Sequence, residues 1–296
     1  EFQHIVLGGL MHLTELYEPD PRERIYVPWR EDPRPFSGAL QGVYAFFGVA
    51  AFWRALARAD PRSQRAAFEF AFWRRQSWHT LRSLRADATL TEAGHRLLEG
   101  IAARLGPWQH ETVPSHAREL AEAAAQDHLA GWRLRHLRPA PAAVTELVHA
   151  WLGGRSRPPL AALATDLPPT PVPDGSWSHA RIDLLRITLG ETRASPLPRA
   201  WLTIPDATKA DLAYVSGQCA EAVRSYRAEL ADDPDRPMSL TGLGLALSGQ
   251  GPHPAARALL HCPELVRAAH RQLRAIVAHP PDVERLAAWI GQLVPG

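Results

Sequence analysis

The sequence predicts an all-α protein, and three observations carry that prediction. Apolar residues recur three or four positions apart along most of the 296-residue chain, which is the spacing of one helix face. Proline and glycine interrupt this pattern at intervals that suit helices of ordinary length. The C-terminal third also places small and aromatic residues at the spacing of a helical repeat.

The first predicted helix runs from the first residues to about Tyr17. Its apolar face begins at Phe2 with neither an N-cap nor a proline ahead of it, so we expect that the chain starts inside a helix and that an upstream region precedes it. Pro19 and Pro21 end this helix, because proline cannot continue the backbone hydrogen-bond ladder. A loop follows, with a short strand predicted at residues 25–27.

Capping residues mark the helices that come next. Ser37 and Thr91 are predicted N-caps, since their hydroxyls accept hydrogen bonds from backbone N–H groups in the first turn. Gly106-Pro107 and Gly153-Gly154 are predicted stops. The predicted helices of the first half are therefore residues 37–58, 61–84, 92–105, 115–137 and 141–152.

The composition excludes several classes of protein. Hydrophobic residues make up 46% and charged residues 22%, which is typical of a soluble globular chain. The net charge is +2 and no basic stripe is interleaved with aromatics, so no nucleic-acid partner is expected. Two cysteines and no signal peptide indicate the cytoplasm. No membrane is expected either, because no apolar run reaches the length of about 18 residues that a spanning helix needs.

A proline-rich segment divides the chain. Residues 154–176 hold six prolines, which make a stiff, extended segment unable to build a core. We therefore predict a helical domain at residues 1–153, a linker at 154–176 and a second helical region at 177–296.

The second region carries the repeat signal. Gly217, Ala222, Tyr226 and Pro234 fit positions 15, 20, 24 and 32 of the 34-residue tetratricopeptide frame. In that frame small residues let two helices approach, the aromatic ring fills the layer between them, and proline ends the second helix. A tetratricopeptide-like helix pair is predicted here, with an ordinary helical hairpin as the alternative.

The first four residues, Glu1-Phe2-Gln3-His4, match the end of an HExxH motif if a histidine precedes Glu1. Histidines four positions apart lie on one face of a helix and can bind one metal ion, with the glutamate beside the bound water or substrate. Four residues alone also fit a solvated helix face.

A resemblance over a longer part of the chain supports the interpretation of these four residues as a metal-binding motif. From Glu1 to about Gly100 the chain resembles the HExxH-motif domain of peptide-modification proteins in high-GC bacteria. The matching segments are Glu1 to His4, Tyr26 to Trp29, Asp32 to Pro35, Gly38 to Ala45, Phe52 to Arg54, Phe70 to Arg74, and Leu90-Thr91.

This resemblance implies a helical metal-type domain that works beside, or fused behind, a radical SAM/SPASM peptide maturase. It implies Fe(II)- and 2-oxoglutarate-dependent hydroxylation of a β-carbon in a ribosomal precursor peptide. His4 would then be a metal ligand and Glu1 a catalytic carboxylate beside the metal. The tetratricopeptide-like tail is expected to hold the peptide, by analogy.

A metal site needs a third ligand, which the sequence leaves open. Glu69 lies among Phe68, Phe70 and Phe72, so its carboxylate is expected to be buried and to need either a metal or an arginine as partner. His79 follows on the same helix and has a surface alternative. Gln41 and Phe46 stand where a histidine would have faced the site, which raises the possibility of a domain that binds no metal.

Two arginines are candidates for holding a carboxylate such as that of 2-oxoglutarate. Arg34 lies between two prolines on a stiff loop, and Arg74 follows Trp73. A guanidinium can grip a carboxylate with two parallel hydrogen bonds. The alternative for both is a structural ion pair, and Gln41 joins them as a candidate contact to substrate or cosubstrate.

Three functions remain open at this point. The first is peptide β-hydroxylation, in which the parent protein is an enzyme and the present chain, with one histidine lacking, is inactive. The second is a zinc peptidase in which Glu1 activates metal-bound water. The third is a metal-free module that recognises the precursor peptide for the radical SAM domain.

Overall fold

The computed structural model describes residues 2–18, 24–87, 89–159, 167–190 and 203–294; the side chains of residues 2 and 3 are also outside the described part. Within these residues the protein is all-helical, as predicted, with no strand. Backbone contacts divide it into two compact units, unit 1 at Glu1–Ala125 and unit 2 at Gln126–Gly296.

Unit 1 packs its helices around leucine-rich faces. Leu40 and Val43 of the second helix share a core with Leu81 of the third and with Leu98 of the fourth, all fully buried. The helices are α1 Phe2–Leu13, α2 Phe36–Ala59, α3 Gln64–Arg85, α4 Glu92–Trp108 and the first half of α5 Ser115–His136.

The predicted ends of these helices are correct in some places and wrong in others. Thr91 caps α4 as predicted, accepting from the Gly94 N–H at 3.2 Å. Ser37 does not cap α2, which begins at Phe36 directly after Pro35. The Gly106-Pro107 stop is also wrong, because α4 continues to Trp108 with Pro107 inside its last turn.

The predicted strand at residues 25–27 is reduced to one isolated bridge. Ile25 and Arg34 exchange two backbone hydrogen bonds of 2.8 and 2.9 Å, and no ladder extends from them in the described residues. This bridge closes the loop ahead of α2. It thereby fixes the backbone on which Tyr26, Trp29 and Arg34 stand.

α2 passes a length and composition test for a membrane-spanning helix, with a mean hydropathy of 1.3 over its most apolar window. The expectation that no apolar segment is long enough was therefore wrong, because the two arginines of α2 stand near its end and leave a long apolar window. About a third of that window is buried within the structure. Core helices of globular domains pass the same test, so the absence of a membrane partner stays a prediction.

Unit 2 contains the second half of α5 and eight further helices in the described residues. Leu147 and Val148 of α6 share one core with the later helices, including Leu243 and Leu259. The helices are α6 Pro141–Leu152, α7 Ala180–Gly190, α8 Lys209–Val215, α9 Cys219–Asp232, α10 Pro237–Ser248, α11 Pro254–His261, α12 Pro263–Ile276 and α13 Val283–Ile290.

The contacts thus place α6 with the C-terminal helices, whereas the sequence places a division after residue 153. Part of the predicted linker is also packed on α5. The Thr170 N–H donates to the His136 carbonyl at 2.8 Å, and the Asp174 N–H donates to the Arg135 carbonyl at 2.9 Å. Residues 160–166 of the predicted linker lie outside the described residues.

α8 and α9 form the helix pair predicted from the repeat frame. Gly217, in the turn between them, has a φ of 74°, a conformation that glycine adopts without strain. Ala222 and Tyr226 are buried in the layer between helices. α10 and α11 follow as a second pair, although repetition of the unit beyond this order of helices stays a prediction.

A buried ionic network ties this pair to the rest of unit 2. Arg181 of α7 donates to both carboxylate oxygens of Asp127 at 2.6 and 2.8 Å, and to Asp211 Oδ1 at 2.9 Å. The Tyr226 hydroxyl donates to the same Asp211 oxygen at 2.7 Å. Burial alone would lower the pKa of Arg181, but Asp127 and Asp211 hold it well above its ordinary value. The guanidinium therefore stays charged within the core.

Candidate functional site

The predicted metal-binding residues on α1 are only partly within the described structure. α1 is helical from Phe2 onward, which is the geometry that an HExxH motif requires. The His4 side chain is exposed on this helix. Glu1 lies outside the described residues. The structure therefore shows a helix at these positions, with His4 exposed on it.

Glu69 is buried, as the apolar residues around it predict, and its partners are an arginine and a tryptophan. Its Oε1 accepts from Arg65 Nε at 2.7 Å and its Oε2 accepts from Trp73 Nε1 at 2.9 Å. Both partners lie four residues away from Glu69 on α3. The two carboxylate oxygens are thus already engaged by donors.

Arg74 is likewise engaged in unit 1. Its Nη1 donates to the Trp108 carbonyl at 2.8 Å and to the Glu111 carbonyl at 2.7 Å. Its guanidinium also lies over the Phe70 ring, 4.9 Å from the centroid. Burial lowers the pKa of Arg74, and Glu111 opposes that shift. The side chain therefore supplies donors to carbonyls at the end of α4.

The loop arginine and the α2 glutamine have weaker partners. Arg34 Nη1 pairs with Asp32 Oδ2 at 3.0 Å, and the side chain stays about one-third exposed. The Arg34 side chain also lies against Gly38 in the first turn of α2. Gln41 Nε2 approaches Met11 Sδ of α1 at 4.0 Å. Of the predicted substrate contacts, Arg34 and Gln41 are the ones that keep an exposed portion.

Position 46, where a histidine would have faced a metal, holds a packing residue. The Phe46 ring stacks between Trp29 and Trp73, with centroid distances of 4.8 and 4.5 Å. Gly42 makes room for this stack, because a β-carbon there would stand 2.3 Å from the Trp29 ring. The aromatic column therefore depends on both a glycine and a phenylalanine of α2.

A polar group near this column was not predicted from the sequence. The Tyr26 hydroxyl is enclosed and hydrogen-bonds to Gln76, and burial raises its pKa well above the ordinary range. His79 meets Tyr26 edge to face at 6.3 Å between centroids. Burial, with Arg75 and Arg82 nearby, lowers the pKa of His79. Among the residues that the structure describes, Gln76 Nε2 is buried and has no hydrogen-bond partner.

These contacts allow a test of fit for iron with 2-oxoglutarate, or for zinc. Glu69 has both oxygens engaged, and Arg74 is committed to backbone carbonyls. Across the described residues, no three histidine, cysteine, aspartate or glutamate side chains come together as metal ligands do. The described donor set does not fit a metal triad.

Unit 2 contains a cavity of about 430 Å³. This volume lies in the range of about 300–1,000 Å³ that ligand sites occupy. The end of α9, the turn into α10, one face of α12 and the loop before α7 border it. The lining residues are Gly175, Ser176, Glu229, Asp232, Asp233, Asp235, Arg236, Pro237, Arg267 and Arg271.

One wall of the cavity is basic, but its charges are already paired. Arg267 is buried and donates to Asp174 Oδ2 at 3.0 Å. Arg271 donates to the same oxygen at 2.6 Å and pairs with Asp235 Oδ2 at 3.0 Å. Hydrogen bonding to Arg271 holds the pKa of Asp174 below its usual value. Burial lowers the pKa of Arg267 to about 10.

The lining residues at the end of α9 form an acidic wall, which has no paired cation in the described residues. Glu229 and Asp232 stand three residues apart in the last turn of α9, and Asp233 is its C-cap. Glu229 Oε2 accepts from Ser239 Oγ at 2.5 Å, and Asp233 Oδ1 accepts from the Asp235 N–H at 3.1 Å. Neither contact neutralises a charge.

Two further groups at the cavity lack partners within the described part of the chain. Arg236 lies in the turn between α9 and α10, and no carboxylate pairs with its guanidinium. Asp235 Oδ1 is buried without a hydrogen-bond partner, although Asp235 Oδ2 is paired. Sequence reasoning missed this cavity; the only local signal was the run of aspartates at 232, 233 and 235.

Comparisons of the chain with models of protein families, with curated proteins and with solved structures found no match.

Proposed function

We propose that this chain acts in the modification of a ribosomally made peptide as the part that recognises the peptide. The observation that carries the proposal is the cavity of about 430 Å³ in unit 2, whose lining includes charged groups without a partner in the described residues. Ligand sites characteristically combine such a cavity with a few polar groups that fix orientation. The resemblance of residues 1–100 to peptide-modification proteins supplies the class of ligand.

The contacts in unit 1 favour recognition over chemistry. Glu69 is held by Arg65 and Trp73, and Arg74 is held by two carbonyls. Side chains bound in this way stabilise the fold and are not free to coordinate a metal or to grip a cosubstrate. The helix pairs α8–α9 and α10–α11 add support by analogy, since stacked helix pairs commonly present peptide-binding surfaces.

The setting of the protein belongs to the same proposal. A radical SAM/SPASM maturase, adjacent or upstream, would be the partner that modifies the peptide. The cytoplasm would be the compartment, and neither nucleic acid nor membrane would take part.

Peptide β-hydroxylation is the second candidate, and one observation favours it. α1 is helical through the motif, and His4 exposes its imidazole on that helix. A histidine placed directly before Glu1 would lie four residues from His4, on the same face. Iron and 2-oxoglutarate, when bound, would supply the oxidation chemistry.

One experiment separates the candidates. The full chain is mixed with the precursor peptide encoded nearest its gene, binding is measured by calorimetry, and the peptide is then incubated with Fe(II), 2-oxoglutarate and air. Binding with unchanged peptide mass supports recognition, and absence of binding overturns it. A gain of one oxygen atom supports the second candidate, and cleavage supports a zinc-type peptidase.

The same measurements are repeated on two extended chains, one with histidine and one with alanine added before Glu1. Metal content by elemental analysis is the additional readout. If recognition is the function, both extended chains bind the peptide equally and neither changes its mass. Activity that appears only with the added histidine would transfer the assignment to the hydroxylase.

A further inference from the structure

We infer that the unit 2 cavity takes a positively charged side chain, arginine or lysine, of its peptide ligand. This inference rests on the proposed function and names the class of peptide that the cavity selects.

The arginines of the basic wall are already in ion pairs. Arg267, Arg271 and Arg274 share Asp174 and Asp235 at distances between 2.6 and 3.0 Å. An anionic ligand would have to compete with these carboxylates for guanidinium groups that are already in ion pairs. The basic wall therefore offers little to an anion.

On the acidic wall, negative charges outnumber positive ones. It has three carboxylates and one arginine, Arg236, that lacks an ion pair in the described residues. The carboxylates are those of Glu229, Asp232 and Asp233. Like charges at neighbouring positions of one helix end repel one another, and a cation placed among them relieves that repulsion.

The C-terminal end of α9 also favours a bound cation. Its last turn contains no basic residue, and its terminal carbonyls carry the negative end of the helix dipole. Carboxylates at this end are unfavourable by themselves, whereas a guanidinium or ammonium group is favoured there. The helix end and its acidic side chains thus select the same sign of charge.

The remaining groups suit a peptide rather than a free metal cation. Arg236 would repel a bare divalent ion, but its guanidinium can donate to a peptide carbonyl beside the bound side chain. Asp235 also lines the cavity, and its Oδ2 is already paired with Arg271 and Arg274. The volume of about 430 Å³ exceeds what one coordinated ion requires.

The test uses two blocked tetrapeptides, acetyl-Gly-Arg-Arg-Gly-amide and its citrulline counterpart. Citrulline has nearly the shape of arginine but carries no charge. Binding to the full chain is measured by calorimetry at low and at high salt. We expect the arginine peptide to bind at least about tenfold more tightly, with an advantage that shrinks as salt is added. Equal affinity for the two peptides would overturn the inference.

Variants assign the effect to the cavity. Asp232→Asn with Asp233→Asn removes two charges and keeps acceptor oxygens, and we expect about a tenfold loss for the arginine peptide. Glu119→Gln with Glu146→Gln is the matched control, because both side chains are exposed, neither lines the cavity, and neither has a cation partner in the described residues. Unchanged binding by the aspartate variant would contradict the inference. Should that variant fail to fold, Glu229→Gln tests the same wall, with at least a threefold loss expected.

The outcomes separate this inference from the proposed function. If the precursor peptide binds with the same affinity to the wild type and to the aspartate variant, the charge inference fails and peptide recognition stands. If the arginine peptide binds and the precursor peptide does not, the cavity has the inferred preference and the proposed function fails.

Discussion

Tyr226 and Gly242 lie so close that a β-carbon built on Gly242 would stand 2.3 Å from Cζ of the Tyr226 ring. The pair joins α9 to α10, and the same tyrosine hydrogen-bonds to Asp211 at 2.7 Å. The ring therefore cannot move aside without giving up a buried hydrogen bond. The small residue is required by a neighbouring ring, not by a turn.

Replacing this glycine should be costly. Gly242→Ala forces the Tyr226 ring or α10 to shift, and we expect the free energy of unfolding to fall by about 1–3 kcal/mol. Gly8→Ala is the matched control, because nothing lies within 4 Å of a β-carbon at that helical position. It should stabilise α1 by up to about 1 kcal/mol. Thermal and denaturant unfolding measure both, and a loss at Gly8 with none at Gly242 would contradict the packing described.

The buried guanidinium of Arg181 should be essential to unit 2. Arg181→Ala leaves Asp127 and Asp211 buried without their cation, and we expect a loss of about 3–5 kcal/mol in the free energy of unfolding. Arg224→Ala removes an exposed arginine from the Arg224–Glu221 pair on α9 and should change stability by less than about 1 kcal/mol. Calorimetric unfolding distinguishes the two, and equal effects would show that the network is weaker than its geometry indicates.

Glu69 should behave as a structural carboxylate. Glu69→Gln removes the charge that pairs with Arg65, and we expect a loss of about 1–3 kcal/mol. Glu99→Gln, which alters an exposed pair with Arg85, is the control and should cost under about 1 kcal/mol.

Metal dependence decides between the two roles of Glu69. The melting temperature of the wild type should not respond to zinc, Fe(II) or a chelator. A ligand stabilises the folded state that binds it, so a metal-dependent rise that disappears in Glu69→Gln would restore Glu69 as a metal ligand.

His128 should make unit 2 sensitive to acid. Burial, with His179 nearby, lowers the pKa of His128 from 6.5 to about 4. The unfolded chain therefore binds this proton first as the pH falls. The stability that neutral His128 provides is complete above about pH 6.5 and is lost towards pH 4, in total about 3 kcal/mol.

Denaturant unfolding between pH 4.5 and 7.5 checks the size and sign of this effect. His128→Gln should flatten the decline on acidification, and His149→Gln, at an exposed position of α6, should leave it unchanged. A stability that rises on acidification through this range would contradict the buried neutral state of His128.

Local sequence signals predicted helices well where both ends were marked. α6 was predicted at its observed bounds, because proline begins it and Gly153-Gly154 follows it. The prediction that Ser37 caps α2 was wrong. Phe36 packs against Tyr17, with 4.9 Å between the ring centroids, and this contact extends α2 by one residue. A capping preference of about 1 kcal/mol is too small to decide against such contacts.

The site residues show the same division between local and distant partners. The burial of Glu69 followed from the phenylalanines beside it, and the arginine alternative was within reach because Arg65 lies four residues away. Tyr26 and Gln76 are 50 residues apart in the chain, and no periodicity connects them. The cavity joins segments spread over about a hundred residues, so its acidic run was visible in the sequence while its basic wall was not.

The two carboxylate oxygens of Asp211 accept hydrogen bonds in two different parts of the structure. Oδ2 accepts from the Thr208 N–H and hydroxyl at the start of α8, and Oδ1 accepts from Arg181 and Tyr226. The α8–α9 pair therefore cannot be transplanted as an interchangeable cassette, as consensus repeats can. Moved without α7, it would carry an orphaned carboxylate into its new host. Engineers who wish to move this helix pair would have to move α7 with it or redesign position 211 first.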